Sequence, residues 1–171
     1  LNIAQAGTKA GMVLLVCIFG NYIGGLIADK FVAKGVAKGR LLSAGILQFF
    51  NFLMFFIAFT LTQGSVQFLF LLLGGFFFTA FTGPAYSSLI ELVHPGLRST
   101  VTSVVVLLQN VLGFALGPIF AGLLSDRYGI GTSMSIISFV PVLSMLSYLV
   151  ASIFFVRDAA KVEKIKIEME S

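Results

Sequence analysis

Asp29 and Lys30 stand side by side, as do Asp126 and Arg127, and each pair closes a run without an acid or a base, 10–28 for the first and 99–125 for the second. An acid beside a base at the water boundary of an apolar run makes ion pairs and charge-assisted hydrogen bonds that form in one conformation and break in another. That is switch chemistry rather than bond-making chemistry. The residues for bond-making are missing. His94 is the one histidine and Cys17 the one cysteine, so no metal set and no nucleophile–base pair assembles around them, and neither a metal nor a cofactor is expected. His94, beside Pro95-Gly96, reads as an exposed loop histidine, and Cys17 as a small buried hydrophobe. Gly20, Gly24 and Gly25 are not a nucleotide loop: no strand precedes them and no Lys-Ser/Thr follows.

Polar side chains within the uncharged runs are the second group, because each is expensive in hydrocarbon unless it faces a bundle interior or a water-filled path. Asn21, Gln48, Asn51, Tyr86, Gln109 and Asn110 are candidates to face a solute; Gln67 is polar too. Gln48 and Asn51, three apart, share a helix face. Interhelical hydrogen bonding is the competing role for all of them. Glu91 and Arg98 bracket a short loop, Arg98 as a loop-ordering or lipid-phosphate contact and Glu91 as a coupling carboxylate if it lies deep. Gly113 and Gly117 form a small-xxx-small pair followed by Pro118, which predicts close helix packing and a bend usable as a hinge.

The elements that must position these residues follow from composition. Hydrophobic residues make up 58% of the 171 and charged ones 11%, against about 25% charged in a soluble domain. The medium around most of the chain is lipid. The formal charge of +4 does not indicate a nucleic-acid partner, since the basic residues sit in short clusters between apolar runs. Five runs, about 10–28, 41–62, 66–90, 99–125 and 130–156, are long enough to cross a hydrocarbon core of about 30 Å as helices. Strands are excluded by consecutive apolar positions such as 68–78, where a barrel strand would alternate. Thr62-Gln63-Gly64-Ser65 supplies a tight turn. Residues 1–158 thus form a transmembrane bundle and 159–171 a charged tail. Nine basic residues (Lys30, Lys34, Lys38, Arg40, Arg98, Arg157, Lys161, Lys164, Lys166) fall on one side and two, Lys9 and Arg127, on the other, which puts the first side and the carboxyl terminus in the cytoplasm. No signal peptide opens the chain at Leu1. The 19 phenylalanines, dense in the second and third spans, read as lipid-facing surface.

Residues 25–31, Gly-Leu-Ile-Ala-Asp-Lys-Phe, are echoed at 122–128 by Gly-Leu-Leu-Ser-Asp-Arg-Tyr. The echo ends the first span and the fourth. Three crossings separate the copies, so they lie on opposite membrane faces, the mark of inverted three-helix repeats. Gly25 and Gly122 would let a neighbouring helix approach closely, Asp29 and Asp126 would accept from the amino end of an adjacent helix, and Lys30 and Arg127 would reach a phosphate or carboxylate. The echo resembles the loop signature of the major facilitator superfamily, Gly-x-x-x-Asp-(Arg/Lys)-x-Gly. The copy ending in Asp126-Arg127-Tyr128-Gly129 matches its core, while the first copy departs after Lys30, with Gly35 late. Gly83-Pro84, Glu91, 94–99, Gln109-Asn110 and Leu116-Gly117-Pro118 resemble the tenth and eleventh helices of such proteins, with a leaning to the Spinster-like and organic-anion branches. The resemblance implies an all-α fold in which these five spans are the eighth to twelfth helices of a twelve-helix, two-bundle carrier. It implies a symporter-type or other secondary transporter in a plasma or bacterial inner membrane, with lipid, a small-molecule substrate and an amino-terminal bundle as partners. A non-transporting membrane scaffold or regulatory half-molecule is the alternative; a membrane enzyme is disfavoured because the spans hold no His, Asp or Glu cluster.

Overall fold

A computed structural model describes residues 2–33 and 38–170, with side chains through 161 except those of residues 3 and 6. Lys34 and Gly35, and the side chains of Lys164 and Lys166, lie outside the described residues. The described chain is helical: α1 (Ile3–Ala33), α2 (Gly39–Thr60), α3 (Gly64–Ala80), α4 (Thr82–Glu91), α5 (Arg98–Leu108), a π turn over Gln109–Ala115, α6 (Leu116–Tyr128), α7 (Ile130–Ile137) and α8 (Val140–Glu170).

These make five helices long and apolar enough to cross a membrane: Gly7–Ala33, Gly39–Thr60, Gly64–Glu91, Pro95–Tyr128 and Ile130–Lys161. Most run a few residues beyond the uncharged limits. A charge ends the apolar segment but not the helix, whose next turn continues into the polar interface, where Asp29 and Lys30 keep their water.

Proline sets where the later spans break. Each proline lacks an N–H and crowds the carbonyl four residues back. For Pro84 that residue is Ala80, where α3 stops; for Pro141 it is Ile137, where α7 stops; for Pro118 it is Phe114, inside the π turn. The bend expected at Pro118 is thus a widened turn on its amino-terminal side, since shifting bonds from i−4 to i−5 relieves the same clash. Glycine sets two corners. Gly64 (φ +67°) opens the third span and Gly129 (φ +79°) separates α6 from α7, a left-handed conformation that a side chain disfavours.

The order of contact shows the threading. Arg40, at the start of α2, lies against Asp29 near the end of α1 and Glu91 at the end of α4. At the opposite end Ser135 Oγ of α7 donates to the carbonyl of Phe59, late in α2, and the Lys9 ammonium sits 5.0 Å from the Phe68 ring centre. Spans one, three and five therefore run one way and span two the other. The fourth span must return between three and five, so Asp29 and Asp126 stand at opposite ends.

Packing is uneven. α1 lies along α3, α2 against both, and α8 against α2. Lipid is as apolar as leucine, so close fit and hydrogen bonds hold these helices together. At Gly20 and Gly24 the fit is backbone on backbone: a Cβ would lie 2.2 Å from the Phe76 carbonyl oxygen and 1.8 Å from that of Ala80. Thr79 Oγ1 donates across the same seam to the Cys17 carbonyl at 2.6 Å, and Cys17 Sγ to the Gly75 carbonyl at 3.2 Å. The phenylalanines are not simply lipid-facing. Phe50 stacks on Phe77 at 5.4 Å, Phe52 and Phe56 enclose Phe139 at 5.2 and 5.5 Å, and the Phe55 ring fills the notch left by Gly74. Rings in glycine notches give the contact area that helix association in lipid requires. The fourth span has no buried residue.

Candidate functional site: an open polar strip and an ionic cluster

The polar residues of the spans divide into two sets. Gln48 and Asn51 are buried between α2 and α8, at 4% and 1% exposure. Asn51 Nδ2 donates to Gln48 Oε1, and Gln48 Nε2 to Ser144 Oγ on α8, both at 3.0 Å. They tie two helices together, and the shared helix face predicted from their spacing is turned inward. Asn110 is exposed and donates to the Val106 carbonyl of its own helix at 2.8 Å, a back-bond within the span.

Asn21, Tyr86 and Gln109 come together on the open side. Thr82 Oγ1 lies 3.2 Å from Asn21 Oδ1, joining span three to span one. Tyr86, one turn after Thr82 on α4, donates through its hydroxyl to Gln109 Oε1 at 2.5 Å, joining span three to span four. Gln109 begins the π turn, so the proline-induced widening sits where the fourth span meets Tyr86. Asn21–Thr82–Tyr86–Gln109 is a polar strip across three of the apolar spans, with Asn21 and Gln109 both exposed.

The second assembly lies where spans one, two and three share an end. The Arg40 guanidinium pairs with Glu91 and lies 3.8 Å from Asp29. Its side chain is 22% exposed, against 40% for Glu91 and 69% for Asp29. Arg40 Nε is buried with no partner among the described residues, so the carboxylates carry the compensation for its charge. Glu91 is therefore an ion-pair acid at a helix end, not a carboxylate deep in a span. The partner of Asp29 is Arg40, eleven residues on, and neither Lys30 nor the amino end of a helix reaches it among the described residues. Lys30 is exposed: neighbours on a helix point about 100° apart, so the pair that is adjacent in sequence cannot both face α2.

The second copy builds no such cluster. Asp126 and Arg127 are exposed with no ion pair among the described residues; Arg127 lies 5.7 Å from the Tyr128 ring centre. A Cβ at Gly25, Gly113, Gly117 or Gly122 would meet no atom within 4 Å. The close packing expected at Gly113, Gly117 and Gly122 is absent within this chain, the Gly25 backbone lies against Gly83 of the third span, and the tightest fit falls at Gly20 and Gly24. Arg98 is exposed at the head of α5. His94 Nδ1 accepts from the Gly96 N–H at 3.3 Å and caps the short turn Pro95–Leu97. No group of three or more His, Cys, Asp or Glu suited to a metal ion occurs among the described residues.

Sequence reasoning missed Thr82, Ser144, Arg40 as the partner of both acids, and the Gly20–Gly24 seam. Two signals were present. Gly20-x-x-x-Gly24 has the same spacing as Gly113-x-x-x-Gly117, and Thr82 lies four residues before Tyr86.

Five apolar helices threading back and forth, with polar groups on an open face and charges at the ends, define an integral membrane protein of the transporter class. The chain belongs to the major facilitator superfamily, whose family model matches residues 1–170. Membership carries membrane transport of small solutes, and the family is one of transporters rather than enzymes. No curated protein and no solved structure matches the chain.

Proposed function

We propose that residues 1–158 are the eighth to twelfth helices of a two-bundle secondary carrier, which moves a small organic solute by alternating access. The strip Asn21–Thr82–Tyr86–Gln109 lines its path, and Asp29–Arg40–Glu91 gates the cytoplasmic end. The excess of basic residues at that end supports its cytoplasmic placement. Gly122, Asp126 and Arg127, open on every side here, are assigned to contacts with the other bundle. So are Gly113 and Gly117, with Pro118 holding the hinge.

One observation carries the reading. The fourth span has no buried residue, yet it carries Gln109 at mid-length, exposed and bonded to Tyr86 of the third span. An amide turned to hydrocarbon loses its hydrogen bonds with water and gains none. A face carrying that amide beside Tyr86 suits a water-filled path. The ionic cluster fits a gate for a related reason. It joins the ends of three spans through partly exposed charges, whose pairing is worth little enough to be exchanged.

Cysteine accessibility tests this. In the full-length protein with Cys17→Ala, single cysteines at Asn21 and Gln109 are expected to react with a membrane-impermeant thiol reagent. One at Phe154, exposed on α8, is expected to stay unreactive because lipid covers it. Unreactive cysteines at 21 and 109 would remove the path, and with it the transport role assigned to the strip.

A further inference from the structure

We infer that the first and third spans, at the end remote from Arg40, seat a phospholipid with an anionic headgroup. Lys9 and Gln5 hold its phosphate, and an acyl chain lies against Met12 and Phe68. An open pocket of about 480 Å³ occurs there, lined by Gln5, Thr8, Lys9, Met12 and Phe68. Two of these side chains bring donors that the described residues leave free. Gln5 Oε1 accepts from the Asn2 N–H at 3.3 Å. A backbone N–H can only donate, so the polarity of that amide is fixed and its N–H₂ group points elsewhere. Lys9, one turn on and on the same face of α1, holds its ammonium 5.0 Å from the Phe68 ring centre. It pairs with no acid among the described residues. Thr8 adds no donor, since its hydroxyl gives its hydrogen to the Ala4 carbonyl at 2.9 Å.

The order of these groups across the membrane selects the ligand. Lys9 is the last charge before the uncharged run 10–28, so it stands where the hydrocarbon begins. At 1.5 Å of rise per residue, Gln5 lies about 6 Å to the water side of Lys9 and Met12 about 4.5 Å to the lipid side. Phe68 meets Lys9 one turn into the third span, which opens at Gly64. Donors toward water and apolar surface toward lipid match an amphiphile, with phosphate oxygens on the first and a chain on the second. A free anion would use the donors alone and leave the apolar half unfilled. The lining holds no acid, so the ammonium of a zwitterionic headgroup finds no counter-charge in it, whereas a net negative headgroup meets Lys9. The contact with Phe68 places the ammonium before the lipid arrives, which lowers the ordering cost of a long side chain. The seat is separate from the proposed solute path. At 100° per residue, Gln5, Thr8, Lys9 and Met12 lie about 120–180° around α1 from Asn21. Failure of the path would leave the seat standing, and failure of the seat would leave the path.

Melting of the full-length protein in a neutral detergent tests this, with dioleoyl phosphatidylglycerol, dioleoyl phosphatidylcholine and glycerol phosphate as probes. Phosphatidylglycerol is expected to raise the melting temperature more than phosphatidylcholine, which carries the same chains. Glycerol phosphate, a similar anion without chains, is expected to leave it unchanged. Lys9→Gln is expected to weaken half-saturation by phosphatidylglycerol about fivefold to tenfold, and Lys9→Arg to retain it. Lys161→Gln, which removes an equal charge from the exposed end of α8, is expected to leave it as it was. Should Lys9→Gln not fold, Gln5→Leu, on an exposed side chain, is expected to weaken binding in the same direction. An equal response to phosphatidylcholine, an unchanged Lys9→Gln, or an equal loss from Lys161→Gln overturns the inference. A response to glycerol phosphate as strong as to the lipid overturns it in favour of a free-phosphate site. No response to either lipid overturns it too, and is the result expected if another stretch of the full-length chain fills the pocket.

Discussion

Replacing Gly24 by alanine adds one methyl group where the structure has no room for it. A Cβ at that position would lie 1.8 Å from the Ala80 carbonyl oxygen, 2.5 Å from its carbon and 2.7 Å from its Cα. All three are backbone atoms, so no side chain can swing aside. Opening the gap from 1.8 Å to the roughly 3.0 Å that real Cβ contacts respect moves α1 from α3 by at least 1.2 Å. A radial gap of about that size forfeits a quarter to a half or more of each dispersion contact along the seam. It also stretches the 2.6 Å bond from Thr79 to the Cys17 carbonyl, a class of interaction averaging about 0.6 kcal/mol between membrane helices. Overpacking of this kind destabilises by about 1–3 kcal/mol, so the total expected is about 2–4 kcal/mol. Gly25→Ala is the matched control, because it makes the same change of residue one position on, where nothing lies within 4 Å. Any gain in helix propensity from replacing glycine is common to both and drops out of the difference. Unfolding by titration with a denaturing detergent should show Gly24→Ala unfolding well before Gly25→Ala. Equal midpoints would mean that α1 and α3 do not meet backbone to backbone, and the seam would have to be abandoned.

Gln48→Leu removes the link between Asn51 and Ser144 and leaves a buried amide unpaired, which is expected to destabilise by about 1–3 kcal/mol; Gln48→Leu with Asn51→Leu should recover much of the loss in the same titration. At the ionic cluster, a double-mutant cycle on melting temperature should give a larger coupling for Arg40 with Glu91 than with Asp29, each within about 1 kcal/mol because the acids are 40% and 69% exposed, and both should shrink in high salt. Pro118→Ala restores a backbone N–H and lifts the clash at Phe114, so the π turn should tighten toward α and rotate Gln109 off Tyr86; disulfide cross-linking between cysteines at 86 and 109 should then form more slowly than in the Pro118 background.

Uncharged length and loop charge made the five spans legible, because those properties act along the chain and need no knowledge of neighbours. Pairing was less legible, because it depends on which way each helix is turned. Gln48 and Asn51 share a face as their spacing requires, yet spacing does not say whether that face meets a path or α8. Asp29 beside Lys30 looked like a unit in sequence, but successive side chains on a helix diverge, and the charge that reaches Asp29 comes from the head of the next helix. The glycines taught the same lesson more sharply. Gly20-Gly24 and Gly113-Gly117 are indistinguishable as patterns, and only the position of a partner helix makes one a seam and leaves the other open. Proline was legible throughout, since its effect is confined to its own chain: the breaks at Ala80 and Ile137 and the widened turn around Phe114 each lie four residues before a Pro.

The uneven packing has a mechanical consequence. Spans one, two, three and five are held by devices that cannot be relaxed a little: a backbone seam at Gly20 and Gly24, a buried amide ladder from Asn51 to Ser144, and phenylalanine rings seated in notches. A side chain that loses its notch or an amide that loses its partner finds no substitute in hydrocarbon, so parting these four spans costs more than shifting the fourth. The fourth span is tied by its two connections and, between them, by the hydrogen bond from Tyr86 to Gln109. A neutral bond of that kind is worth about 1 kcal/mol, comparable to thermal energy, and in the proposed carrier water in the path would replace it. In the proposed carrier the fourth span would shift against the other four by exchanging that tie, and the π turn is where the chain would bend to accommodate it.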